Sequence, residues 1–145
     1  MVDYEPVADL EVGHALLTGT TVGASEVPLL IDELPLVALL GAFADGRTIV
    51  EGARELRHKE SDRIATVVEG LRGLGASIDP RPDGFVIDGT GGLAGGVINA
   101  AGDHRLAMLG AIAGLASRDG VEIRGAEAAS VSYPAFFGDL ASVTS

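Results

Sequence analysis

No cysteine occurs in these 145 residues, which excludes disulfides, thiolate metal sites and cysteine nucleophiles. No apolar run approaches the roughly 20 residues that a membrane-spanning helix needs, because Gly, Asp and Glu interrupt every hydrophobic stretch. The opening Met1-Val2-Asp3-Tyr4-Glu5 lacks the basic and apolar regions of a secretory signal. Basic residues are scarce too: ten Lys and Arg stand against 21 Asp and Glu, for a formal charge of −11. That balance argues against nucleic-acid or anionic-membrane binding, since either wants a basic face. These absences lead us to expect a soluble cytoplasmic protein. What is present is a 47% hydrophobic composition with mean hydropathy of +0.34, enough for one compact domain with its own core.

Along the chain, alternating apolar and polar residues from Val7 to Val22 predict two short strands. Ser25 and Asp32 each precede apolar stretches and read as helix starts. Leu34 to Phe43 is apolar on most sides, which predicts a buried helix closed by the Asp45-Gly46 turn. Residues 48–52 read as a strand. Ile64, Val67, Val68, Leu71 and Leu74 follow helical spacing, with Gly75 placed as the C-terminal cap. Residues 76–79 and 85–88 read as strands joined by a hairpin loop over 80–84. Ile98 lies in a strand region, and Asp103 precedes a helix over Leu106–Ala116. Residues 121–125 form another strand, followed by a short helix around Ala135–Leu140.

Ile49-Val50-Glu51-Gly52-Ala53 resembles Glu122-Ile123-Arg124-Gly125-Ala126 at a spacing of about 73 residues. The expected fold is α/β. It consists of repeated βαβαββ units, one over about residues 1–90 and an incomplete one over 91–145, with helices on one face of small sheets.

The scarce cations are not spread evenly. Arg54, Arg57, Lys59 and Arg63 fall within ten positions, with His58 among them. Charged residues also crowd three helix starts: Ile31-Asp32-Glu33, Lys59-Glu60-Ser61-Asp62-Arg63 and Gly102-Asp103-His104-Arg105. A helix N-terminus offers unpaired N–H groups and partial positive charge, and so suits phosphate or carboxylate. Arg63 and Arg105 add planar bidentate donors, and carboxylates among such cations suit general acid–base work. The ordinary alternatives stay open. Asp32 and Asp103 stand where helix caps stand, the 59–63 charges read equally as solvated surface pairs, and His104 as a structural donor.

Glu55-Leu56-Arg57-His58-Lys59-Glu60-Ser61-Asp62-Arg63-Ile64 and Gly102-Asp103-His104-Arg105-Leu106-Ala107-Met108 resemble two motifs of the 5-enolpyruvylshikimate-3-phosphate synthase family. Leu30-Ile31-Asp32-Glu33-Leu34-Pro35 and Val131-Ser132-Tyr133-Pro134-Ala135-Phe136-Phe137 match further segments in the right order, so the resemblance covers almost the whole chain. It corresponds to the C-terminal part of that enzyme, making residues 1–145 a partial C-terminal domain of the enolpyruvyl transferase type.

The resemblance implies transfer of the enolpyruvyl group of phosphoenolpyruvate to the 5-hydroxyl of shikimate 3-phosphate, with release of phosphate and no metal or organic cofactor. It implies that Asp32 orients and deprotonates the hydroxyl, and that Glu60 shuttles a proton at the methylene. Arg63 and Arg105 would grip phosphoenolpyruvate with His104 beside its phosphate, and Lys59 would contact shikimate 3-phosphate. Many members carry a lysine before the final Tyr/Phe-Pro, where this chain has Ser130 and Val131. The family's N-terminal domain supplies further ligands with no counterpart here, so the isolated chain is expected to hold part of the active site and to turn over negligibly. A cell-wall enolpyruvyl transferase acting on a UDP-sugar fits the motifs less well. A non-enzymatic binding module of the same fold, and self-association through an exposed domain edge, are the other expectations.

Overall fold

A computed structural model describes residues 5–59 and 61–144. The elements run β1 (Thr21–Val22), α1 (Leu34–Phe43), β2 (Arg47–Val50), α2 (Arg63–Gly73), β3 (Ser77–Arg81) and β4 (Gly84–Asp88). They continue with β5 (Gly96–Asn99), α3 (His104–Ala116), β6 (Val121–Arg124) and α4 (Phe136–Thr144). Short 3-10 turns occupy Val27–Leu29, Arg54–His58 and Ala126–Val131. The order from β1 to β4 is βαβαββ, and from β5 it is βαβα.

The first sheet has strand order β1-β2-β4-β3, with β1 parallel to β2 and the remaining pairs antiparallel. The second holds only β5 and β6, in parallel. Helix α1 contacts β2 and β4, α2 contacts β3 and β5, and α3 contacts β5 and β6, while α1 also touches α2 and α3. The helices thus share one core with both sheets, centred on Leu34, Val50, Ile64, Leu71, Phe85, Ile98 and Leu106. Close approach needs small residues on the helices. A Cβ at Gly110 would lie 2.6 Å from Ile98 Cγ2, and one at Gly70 would lie 3.0 Å from Ile98 Cδ1.

The helices form where periodicity puts them, and their ends have local causes. Asp62 caps α2 by accepting from the Ala65 N–H at 3.0 Å. Gly75, at φ +95°, closes it: its N–H bonds Arg72 C=O while the Ala76 N–H bonds Leu71 C=O. This paired closure satisfies two otherwise orphaned carbonyls.

Several expectations are corrected. Residues 5–17 form no strand; Val7, Leu10, Val12 and Leu16 are each about 90% exposed, because alternation forms a strand only where a partner edge is available. The turn between β3 and β4 is Pro82-Asp83 alone, with Pro80 and Arg81 inside β3. Pro80 is tolerated because β3 is an edge strand that need not donate outward. Ser25 starts no α-helix but sits in the turn before Val27–Leu29. Helix α3 begins two residues earlier than expected, and α4 extends to Thr144. Among the described residues no helix is long and apolar enough to cross a membrane.

Candidate functional site

The three charged helix starts meet in space, and the loop that leads into the third has unusual backbone. The loop between β5 and α3 carries Ala101 at φ +52° followed by Gly102 at φ +74°. Ala101 has the only positive φ of a non-glycine among the described residues. A left-handed alanine costs about 1–2 kcal/mol, offset in part by the Asn99 side chain, whose Oδ1 accepts from the Ala101 N–H at 2.9 Å. The chain then turns into α3, which Asp103 caps by accepting from the Arg105 N–H at 2.8 Å. The capping alternative is therefore correct for Asp103.

It is not correct for Asp32. Residue Glu33, without a side-chain bond, occupies the cap position of α1. Asp32 instead accepts from Arg105: Nε lies 3.0 Å and Nη2 2.8 Å from its Oδ1. Arg63 Nη1 stands 3.6 Å from the same oxygen. Asp103 faces both cations as well, with Arg63 Nε at 3.9 Å and Arg105 Nη1 at 3.7 Å. Two carboxylates and two guanidiniums from the starts of α1, α2 and α3 thus form one network. The Arg63 and Asp103 side chains are 11% and 12% exposed, while Asp32 is 55% exposed. Charges this far withdrawn from water require partners, and the network supplies them.

Beside it opens a cleft of about 340 Å³ lined by Ser61, Arg63, Ala101, Gly102, Asp103, His104 and Arg105. The wall therefore combines two guanidiniums, an imidazole, a hydroxyl and the N-terminal turn of a 13-residue helix. Guanidinium forks and helix N–H groups are the chemistry that receives a carboxylate or phosphate.

Of the residues singled out from sequence, Asp32, Arg63, His104 and Arg105 come together here. Lys59 is exposed at the end of the 54–58 turn and does not line the cleft. Glu60 lies outside the described residues. Arg57, grouped with the cations, has a different job: it pairs with Asp62 at 2.9 Å and donates to the carbonyls of Arg81 and Pro82. It therefore fastens the α2 cap to the β3–β4 turn.

Sequence reasoning missed the bridging role of Asp103 and the contribution of Ser61. The Asn99-Ala100-Ala101-Gly102-Asp103 run carried the available signal, since Asn and Gly mark such loops. Near the C-terminus the Tyr133 hydroxyl donates to Asp139 at 2.7 Å, and this bond raises the Tyr133 pKa. Val131, one of the two residues where the resemblance leads to the expectation of a lysine, is 78% exposed.

Comparison with known proteins gives a consistent picture. A family model described as EPSP synthase (3-phosphoshikimate 1-carboxyvinyltransferase) matches residues 1–140. A 3-phosphoshikimate 1-carboxyvinyltransferase from Roseiflexus sp. (strain RS-1) is 51% identical over 139 residues, 96% of this chain and 32% of the relative. One from Streptococcus mutans is 46% identical over 98% of this chain and 34% of the relative. A solved EPSP synthase from Acinetobacter baumannii superposes with TM-score 0.79 at 40% identity, over 83% of this chain and 29% of that one. The chain spans about a third of the length of the curated relatives it matches.

Proposed function

This chain belongs to the EPSP synthase family, and on that premise we propose that it supplies one share of an active site that moves an enolpyruvyl group. The donor is phosphoenolpyruvate, the acceptor is the 5-hydroxyl of shikimate 3-phosphate, and phosphate leaves. Addition forms the new C–O bond while the methylene gains a proton. Elimination then breaks the C–O bond to phosphate as the methyl group returns a proton.

In this reading Arg63 and Arg105 hold the carboxylate and phosphate of phosphoenolpyruvate, with His104 beside the phosphate. Asp32 orients and deprotonates the attacking hydroxyl, Glu60 carries the methylene proton, and Lys59 touches shikimate 3-phosphate. Preorganised cations of this kind stabilise the charge that develops during addition. The remaining ligands, and closure over the substrates, come from a polypeptide equivalent to the portion of the relatives this chain does not span. We place the work in the cytoplasm, and we read residues to about 90 as one βαβαββ unit and those from 91 as an incomplete second.

The observation that carries the proposal is the convergence of Asp32, Arg63 and Arg105 from three helix starts beside one cleft. The test mixes this chain with a separately made N-terminal portion of a family member and measures phosphate release. Arg105→Ala is expected to cut the rate by about a hundredfold or more, and Glu60→Ala to abolish it. No turnover with both pieces folded, together with no binding of phosphoenolpyruvate in a titration of this chain, sinks the proposal. Binding without turnover favours the non-catalytic module.

A further inference from the structure

Helix α2 is tied to the first sheet by an arginine at each end, and the two ties differ in what they hold. At the C-terminal end Arg72 donates from Nε to the Ile78 carbonyl at 2.8 Å and from Nη2 to Asp79 at 2.6 Å. That tie braces the α2–β3 connection, at the opposite end of α2 from the cleft. Ahead of the N-terminus Arg57 donates from Nε to the Pro82 carbonyl at 3.1 Å and from Nη2 to the Arg81 carbonyl. Its Nη1 donates to Asp62 Oδ2 at 2.9 Å.

Both anchors of this second tie are themselves fixed. The Pro82-Asp83 turn also receives the chain leaving β2. There the Gly52 N–H donates to the Asp83 carboxylate at 2.9 Å, and the Ala53 N–H to the Asp83 carbonyl at 2.7 Å. Leu56 is buried in the core between these points, so residues 52–57 are stapled to the β3–β4 turn at both ends. Asp62 is held from its other oxygen, Oδ1, which caps α2 through the Ala65 N–H. What lies between Arg57 and Asp62 is a four-residue span, 58–61, closed at its base by the ion pair. By sequence it carries Lys59 and Glu60, and Ser61 lines the cleft.

Holding both ends of so short a span limits the conformations open to it. A guanidinium suits that task, because its planar fork aims N–H groups at three acceptors at once, whereas an ammonium is a point donor. We propose that Arg57 is a positioning residue for the reaction: it acts through the 58–61 span, setting Lys59 and Glu60 against their substrate atoms. The inference rests on the reading above, in which Lys59 touches shikimate 3-phosphate and Glu60 carries the methylene proton. The cations assigned to phosphoenolpyruvate are secured separately, since Arg63 and Arg105 face Asp32 and Asp103. Loosening Arg57 should therefore reach turnover and spare phosphoenolpyruvate binding.

The test compares Arg57→Lys with Arg72→Lys, each in this chain recombined with the separately made N-terminal portion of a family member. Arg57→Lys is expected to lower kcat about ten- to a hundredfold, the scale of loss when a reacting group is slightly misplaced. Its Kd for phosphoenolpyruvate, titrated on the chain alone, should stay unchanged. Arg72→Lys loses a clamp of the same chemistry and should leave kcat as it was. Amide exchange on the chain alone should speed up at residues 59 and 61 in Arg57→Lys, with α2 and β4 still protected. Asp62→Asn keeps a capping oxygen but turns an amide N–H2 toward Arg57, so it opens the base from the other side and should give the same split. Turnover equal to the parent's in both Arg57→Lys and Asp62→Asn overturns the proposal. So does a fall in kcat that Arg72→Lys reproduces at a similar urea midpoint, which makes the clamp merely structural. A parallel loss of phosphoenolpyruvate affinity overturns it too, by placing the defect at Arg63. A parent chain without turnover overturns it together with the reading on which it rests.

Discussion

The two sheets begin alike and end differently, and the difference shows what seals a small sheet. In the first, β2 is covered along its full length by β4; Val50, Phe85 and Ile87 are at most 1% exposed, and Arg47 meets Asp88 across the strands at 2.7 Å. In the second, Val121 and Ile123 stay half-buried although α3 packs on them, and the nearby ion pair, Arg118 with Asp119, is between chain neighbours. A helix covers a face, but only another strand covers an edge.

The largest effect should come from the sealed side. Phe85→Ala is expected to cost about 3–5 kcal/mol in urea unfolding. A much smaller loss would mean that β4 does not close the core as described. Helix glycines sharpen the comparison next. Gly110→Ala drives a methyl into Ile98 and should destabilise by about 1–3 kcal/mol, despite the gain in helix propensity. Gly138→Ala, with nothing within 4 Å of its added Cβ, should stabilise by up to about 1 kcal/mol. A matched deletion comes third: Ile87→Val should cost about 0.5–1.5 kcal/mol, and Ile123→Val less. Equal costs would mean the second sheet is covered in solution.

The smallest effect is electrostatic. The hydrogen bond from Arg47 holds the Asp88 carboxyl below its ordinary pKa. Its stabilising contribution is present above the unfolded carboxylate pKa and fades as pH falls through the lowered folded value. Asp88→Asn should therefore flatten the acid limb of the urea midpoint, most visibly below about pH 4.

Much of this was legible from the residues. Helix α1 shows in a stretch apolar on most sides, α2 in its spacing from Ile64 to Leu71, and its end in Gly75. Local rules failed where long-range partners decide. Asp32 reads as a cap, yet its partner Arg105 is 73 positions away. The 54–58 turn lacks any apolar period, because Leu56 alone is buried there. Ala101 gives no sign of its left-handed backbone, since alanine ordinarily avoids it. The apolar pattern before Leu17 predicts a strand that does not form, because a pattern cannot say whether a partner strand exists.

Pro80 has one more implication. It lies in β3, the long outer edge of the first sheet, and the opposite edge, β1, is only two residues long. Neither border is therefore a good template for another strand: proline removes a ladder donor from one and brevity limits the other, so the first sheet resists growth by strand addition at both of its margins.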